Sequence, residues 1–292
     1  MPLPNFLIIG APKAGTTSLY RYLEQHPQVY VSSLKEPHFF SFGEMDPADP
    51  AAFIPPRAIR TARAYDRLFN GVRGETAVGE ASTTYLASRR AADRIAQRLP
   101  GARLIAVLRQ PAERAYSSYL MHRQLFGEEA PTFEAALEKE QYAIDRGIRP
   151  RLRYRSTGYY YQHLSYYYGL FPKEQVRVLL HEDLRDRPLE TLKEIFGFLQ
   201  VDDAFVPDVS LKYNVSGIPR NSAVTWLLRA VHPLRPHLVS LLPARMVSGV
   251  GQALLKTPRL EPETRATLCA HFRDEILKLQ ELVHRDLSHW LK

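Results

Sequence analysis

The 292-residue chain has a single cysteine, Cys269, so no internal disulfide braces it and its fold needs no oxidising compartment. The flanks of that cysteine, Ala266-Thr267-Leu268 and Ala270-His271, are helical in character, which points to a buried thiol without chemistry of its own. Long apolar runs are also missing. No stretch supplies the roughly 18 uncharged apolar residues of a membrane span. The best approach to one, residues 226–256, is interrupted by Arg229, Arg235, Arg245 and three prolines. The N-terminal run Phe6-Leu7-Ile8-Ile9 is too short for a secretory signal and lacks its basic flank. These shortages lead to the expectation of a cytoplasmic protein with no transmembrane segment. Internal repeats and obvious linkers are absent too, so residues 1–292 read as one domain.

What is present is globular: 45% hydrophobic and 24% charged residues, which excludes a disordered or collagen-like chain. Lys and Arg number 39 against 31 Asp and Glu, a formal charge of +8. Such a surplus favours anionic partners without choosing among them. No aromatic RNA-binding signature and no helix-turn-helix pattern accompanies it, so nucleic acid is not expected.

Phe6-Leu7-Ile8-Ile9-Gly10 is a continuous apolar run, as a buried parallel strand requires. Similar runs lie at Arg103-Leu104-Ile105-Ala106-Val107-Leu108-Arg109 and Val176-Arg177-Val178-Leu179-Leu180. Helical patterns follow at 112–124, 156–170, 189–199 and 263–291. Alternating strands and helices predict an α/β fold of P-loop type, a parallel sheet with helices on both faces. Residues 45–63 and 203–221 are rich in loop-forming residues and read as surface excursions.

The first strand runs into Gly10-Ala11-Pro12-Lys13-Ala14-Gly15-Thr16-Thr17-Ser18, which has the glycine spacing of a phosphate loop. A nucleotide triphosphatase needs lysine where this chain has Thr16, and its only loop lysine is Lys13. Backbone N–H groups from Ala14 to Ser18, at a helix start, can still cradle an anion. Three readings stand at this point: a phosphosulfate-binding transferase, a P-loop kinase-like phosphotransferase, and a non-enzymatic basic anion-binding protein.

Ala11-Pro12-Lys13-Ala14-Gly15-Thr16-Thr17-Ser18-Leu19 resembles the 5'-phosphosulfate loop of sulfotransferases that use 3'-phosphoadenosine 5'-phosphosulfate (PAPS). Val107-Leu108-Arg109-Gln110-Pro111-Ala112-Glu113-Arg114-Ala115-Tyr116-Ser117-Ser118-Tyr119 resembles the same family's 3'-phosphate strand and helix. The resemblance runs almost end to end and is patchy over 43–75 and 222–260. It implies that Lys13, Ala14, Gly15, Thr16, Thr17 and Ser18 hold the 5' end of PAPS and that Arg109 and Ser117 grip the 3'-phosphate. A looser match at Leu211-Lys212-Tyr213-Asn214-Val215-Ser216-Gly217-Ile218-Pro219-Arg220 adds Ser216, Gly217 and Arg220.

Ser33-Leu34-Lys35-Glu36-Pro37-His38-Phe39-Phe40 is similar to a segment of the heparan sulfate N- and 3-O-sulfotransferase branch, and the expectation is a bacterial-type soluble member or a shortened form of an anchored enzyme. By that resemblance Glu36 is the general base that takes the acceptor's proton, with His38 as its partner or a substrate contact. A pairing of Glu36 with Lys35, or a turn cap before Pro37, is the bland alternative. His122 and His163 are rival bases. Lys13 would stabilise the leaving phosphate without a metal ion, and the bisphosphate PAP would be released. Val78-Gly79-Glu80-Ala81-Ser82-Thr83-Thr84-Tyr85-Leu86 also looks like the branch, with Ala81 where a lysine is usual and Glu80 either a second carboxylate or a structural one. The acceptor is expected to be a small molecule, glycan or lipid bearing a hydroxyl or amine. Self-association is left open.

Overall fold

The computed structural model describes residues 3–44, 54–125, 127–148, 152–210, 218–219, 255–256 and 258–292. Its centre is a five-stranded, all-parallel sheet in the order β2-β3-β1-β4-β5. The strands are β1 (Phe6–Gly10), β2 (Val29–Val31), β3 (Ala77–Ala81), β4 (Arg103–Leu108) and β5 (Val176–Leu180). In β1 and β3 every residue is buried, which is why the first reads as an unbroken apolar run rather than an alternation. Among the described residues, Ile218–Pro219 also pairs antiparallel with Leu255–Lys256.

The connections carry α1 (Thr16–Leu23), α2 (Phe39–Phe42), α3 (Ala62–Asp66), α4 (Arg89–Arg98), α5 (Pro111–Leu125), α6 (Phe133–Asp145) and α7 (Tyr160–Tyr168). After β5 come α8 (His181–Asp186), α9 (Pro188–Leu199), α10 (Pro262–His271) and α11 (Arg273–Val283). The link from β1 to β2 runs one way across the sheet, and the links from β3 to β4 and β4 to β5 run the other way. Right-handed crossovers therefore put α1 on one face and α4 on the opposite one. The change of direction leaves a crevice at the carboxyl ends of the central strands, where α/β sheets bind ligands.

Two helices differ from the sequence reading. The pattern at 263–291 is two helices and a terminal 3-10 turn (Ser288–Leu291), because Phe272 leaves helical geometry at φ −91°, ψ 3°. Its ring packs edge-on to Tyr159 and against Gly158, so tertiary packing overrides the local helical preference. The pattern from 156 begins as a 3-10 turn (Ser156–Gly158), and α7 proper starts at Tyr160. Cys269 is buried, as the sequence suggests, and its sulfur meets Gln110 Nε2 at 3.2 Å.

Candidate active site

All five strands deliver a polar residue to one edge. Lys13 follows β1, Glu36 and His38 follow β2, Ser82, Thr83 and Thr84 follow β3, Arg109 follows β4, and His181 follows β5.

The loop after β1 is held from beneath. The Ala11 N–H donates to the Val107 carbonyl at 2.7 Å, and the Leu86 N–H donates to the Ile9 carbonyl at 2.8 Å. Gly10 passes so close to Leu86 that a Cβ would sit 2.7 Å from the leucine Cβ. Gly15 stands at φ 99° and caps α1 with no side-chain bond, and the first turn of α1 carries no acidic residue. A glycine is needed there for the left-handed backbone, and a Cβ would also press on His181 Nδ1 at 3.2 Å. A helix start with no side-chain cap and no acidic residue in its first turn suits an anion.

Two cations border the loop. Arg109 Nη1 donates to the Lys13 carbonyl at 3.3 Å. Burial, then the charges of Arg109 and Lys35, lower the Lys13 ammonium to about 8. Burial likewise lowers Arg109, with Glu113 opposing at 3.7 Å. Desolvated cations of this kind are relieved by an anionic ligand. Ser117 is buried on α5, two turns beyond Arg109. Thr16 is buried at the start of α1, with Thr17 and Ser18 half-buried beside it. His181 joins the loop from the far side, its Nδ1 3.1 Å from the Ala14 carbonyl.

Glu36 sits across the edge. Thr83 grips its carboxylate, with the backbone N–H donating to Oε2 at 2.9 Å and the hydroxyl meeting Oε1 at 3.1 Å. Lys35 Nζ lies 2.8 Å from Oε1, and His38 Nδ1 lies 3.5 Å from Oε2. The pair with Lys35 is thus present, together with contacts that a bare surface pair would lack. The Glu36 N–H donates to the Ala81 carbonyl at 2.9 Å, which fixes its turn to the end of β3. His38 is buried, its Nδ1 3.0 Å from Thr84 Oγ1, and burial lowers its pKa so that it is neutral at pH 7.

The rival histidines are engaged elsewhere. His163 Nε2 meets the Ser156 carbonyl at 3.0 Å, and burial takes the ring down to about 4. His122 packs edge-on against Tyr154. Glu80 is fully buried behind the edge rather than in it. The tyrosines of α7 are braces, since Tyr160 donates to the Arg109 carbonyl and Tyr167 to the Tyr85 carbonyl, both at 2.9 Å. In the arginine-rich stretch after α6, the Arg155 N–H is spent on Glu140 and Arg146 stacks on Tyr142. Ser216, Gly217 and Arg220, and most of 226–256, lie outside the described residues. Sequence reasoning missed Thr83 and His181 as site residues. The available signal was position alone, each standing just beyond the carboxyl end of a strand.

The sequence model described as "Sulfotransferase family" matches residues 4–205. A crystal structure of a sulfotransferase from Alicyclobacillus acidocaldarius is 34% identical and covers 100% of both chains, with a TM-score of 0.77. The sulfotransferase domain from the curacin biosynthetic pathway, 18% identical over 74% of this chain and 80% of its own, has a TM-score of 0.50 and shares the fold. Among curated proteins, the mouse bifunctional heparan sulfate N-deacetylase/N-sulfotransferase 4 is 27% identical over 99% of this chain. The chain spans 31% of the length of that relative. With the family match covering both anion-binding motifs and the carboxylate between them, the chain belongs to the sulfotransferase family, the PAPS-dependent enzymes that its motifs resemble.

Proposed function

We propose that the protein transfers a sulfuryl group from PAPS to a hydroxyl or amine of its acceptor. The 5'-phosphosulfate fits the cradle formed by Lys13, Ala14, Gly15, Thr16, Thr17 and Ser18, and the 3'-phosphate is assigned to Arg109 and Ser117. In the transfer, the acceptor heteroatom forms a bond to sulfur while the bond from sulfur to the 5'-phosphate oxygen breaks. The acceptor proton passes to Glu36, and the negative charge left on the phosphate is met by Lys13. His38, neutral and hydrogen-bonded through Nδ1, orients Glu36 and borders the acceptor. Carbohydrate acceptors gain support from the curated relative, whose name places it on heparan sulfate. Ala81 supplies no charge beside the site, which favours an acceptor less anionic than a heavily sulfated glycan.

The observation that carries this reading is the placing of a desolvated Lys13, tied to Arg109 by its carbonyl, just before a helix start that has no side-chain cap. A kinase would place its lysine at the position of Thr16 and recruit magnesium. The test is bisphosphate release from PAPS with and without EDTA, beside a binding titration with Mg²⁺-ATP. Sulfuryl transfer retains its rate in EDTA. A loss beyond about tenfold, roughly 1.4 kcal/mol of barrier, together with tight Mg²⁺-ATP binding, would favour the phosphotransferase.

A further inference from the structure

Glu80 is a fully buried carboxylate on β3, paired in register with Leu7 of β1. Its three side-chain partners all donate to it: the Tyr85 and Tyr65 hydroxyls to Oε1 at 2.7 and 3.2 Å, and the Ser82 hydroxyl to Oε2 at 2.9 Å. A hydroxyl has one proton. Once that proton is committed to Glu80, its oxygen is left to accept. Ser82 Oγ accepts the His38 N–H at 2.9 Å, and the Tyr85 oxygen accepts the Phe40 N–H at a longer 3.4 Å. One carboxylate thus sets the direction of two hydroxyls, and both receive backbone N–H groups from the segment that carries Glu36 and His38.

That segment needs holding. Glu36 and His38 stand at φ 63° and 54°, on either side of Pro37. Left-handed backbone at non-glycine residues persists only where surrounding contacts over-determine it. We propose that Glu80, in its ionised form, is a positioning residue that clamps the turn bearing Glu36 and His38 through the hydroxyls of Ser82 and Tyr85. The proposal rests on the reading of Glu36 as the base. It gives Glu80 no contact with substrate.

The clamp depends on a carboxylate that only accepts. A proton on Glu80 would have to be donated to one of its own donors, and where that donor is Ser82 or Tyr85 it would turn a relay around. Burial pushes the Glu80 carboxyl up to about 7, and the nearby Glu36 charge adds to this while the Tyr85, Ser82 and Tyr65 hydrogen bonds oppose it. Among the described residues, Tyr20 of α1 also feels its charge. Tyr65 and Tyr85 are themselves held well above the usual phenol range and stay protonated. The clamp is therefore complete above neutrality and loosens as pH falls through about 7.

The test uses the full chain, with water as acceptor and single-turnover release of bisphosphate from PAPS as the rate. Glu80→Gln keeps the volume but brings two N–H donors into a shell made of donors. Its turnover is expected to fall about 10- to 100-fold, with bisphosphate affinity within twofold of the parent. The parent's rate should show an acid limb near pH 7 that Glu80→Gln lacks. Hydrogen exchange at the His38 and Phe40 amides should quicken at least tenfold, with β1 amides unchanged. Should Glu80→Gln fail to fold, Ser82→Ala and Tyr85→Phe each remove one relay and should each lower turnover. Amide exchange at wild-type rates in Glu80→Gln, an acid limb retained in it, or both relay variants within twofold of the parent would overturn the proposal. Glu36→Gln is measured alongside. Near-normal turnover there overturns the base assignment, whereas an inactive Glu36→Gln beside a normal Glu80→Gln overturns the clamp alone.

Discussion

The guanidinium of Arg109 donates to the backbone carbonyl of Lys13 at 3.3 Å, so the residue just after β4 holds the loop that follows β1. Two motifs far apart in the sequence in this way meet at one edge of the sheet. Burial lowers the pKa of both cations, and the Arg109 charge lowers that of Lys13 further.

The first consequence is a pH dependence of donor binding. In the free protein Lys13 loses its proton with a midpoint of about 8. A bound bisphosphate favours the ammonium and raises that midpoint. Affinity should therefore be steady below about pH 8, fall as pH rises through it, and be accompanied by proton uptake above it. Calorimetry in buffers of different ionisation heat measures that uptake. Lys13→Ala should bind more weakly and lose the pH slope. A wild-type affinity that stays flat from pH 7 to 9 would contradict the assignment.

A second prediction separates chemistry from donor binding at Glu36. Glu36→Gln cannot take a proton at neutral pH, so kcat should fall by about 10²–10⁴-fold. Bisphosphate affinity should hardly change, because the described contacts of this carboxylate are with Lys35, His38 and Thr83. Thr83→Val removes the hydroxyl that meets both oxygens of Glu36. A hydrogen bond to a charged group contributes about 1.5–3 kcal/mol, so a loss of at least tenfold in kcat is expected. Turnover of Glu36→Gln within tenfold of the parent would move the search for the base to His38.

The 3' end of the nucleotide offers a third. PAP should raise the melting temperature well beyond 5'-AMP at matched saturation, since only PAP carries the group assigned to Arg109 and Ser117. Arg109→Ala should erase the difference. Equal stabilisation of the parent by both nucleotides would show that these two residues do not read a 3'-phosphate.

A fourth concerns stability. Trp290 is buried, its Nε1 donates to Glu182 at 2.8 Å, and its carbonyl accepts from Gln110, the neighbour of Arg109. Trp290→Ala should cost about 3–5 kcal/mol, read as a lowered denaturation midpoint. Because alanine keeps the backbone carbonyl that accepts from Gln110, bisphosphate affinity should weaken only as far as loss of the indole displaces that carbonyl. A midpoint near that of the parent would mean that the C-terminal turn contributes little to the core.

The strands β1, β4 and β5 were legible because each is a continuous apolar run. The strand β2 was not, since three residues carry too little pattern. Nor was β3: its sequence AVGEA holds a glycine and a glutamate, residues that strands generally disfavour. Both fit because of what surrounds them. A Cβ on Gly79 would lie 2.5 Å from the Phe6 ring, and Glu80 is satisfied by hydroxyls from Tyr65, Ser82 and Tyr85. The anion loop was legible because its chemistry is local. The partner of Glu36 was not, since Thr83 lies 47 residues away.

The sequence by itself determined a parallel α/β fold, a glycine loop with its lysine before the second glycine, and a second family-like motif over 107–119 that contains Arg109. Each of these depends on neighbours along the chain. It also offered two carboxylates, Glu36 as the base by family resemblance and Glu80 as either a second carboxylate or a structural one. Their surroundings differ only in the folded chain. The Glu80 side chain is enclosed by tyrosines from α3 and the β3 loop and is 0% exposed, whereas Glu36, on a left-handed turn, keeps 27% of its side chain open. Access to an acceptor depends on which elements close over a residue, and those elements come together only in the folded chain.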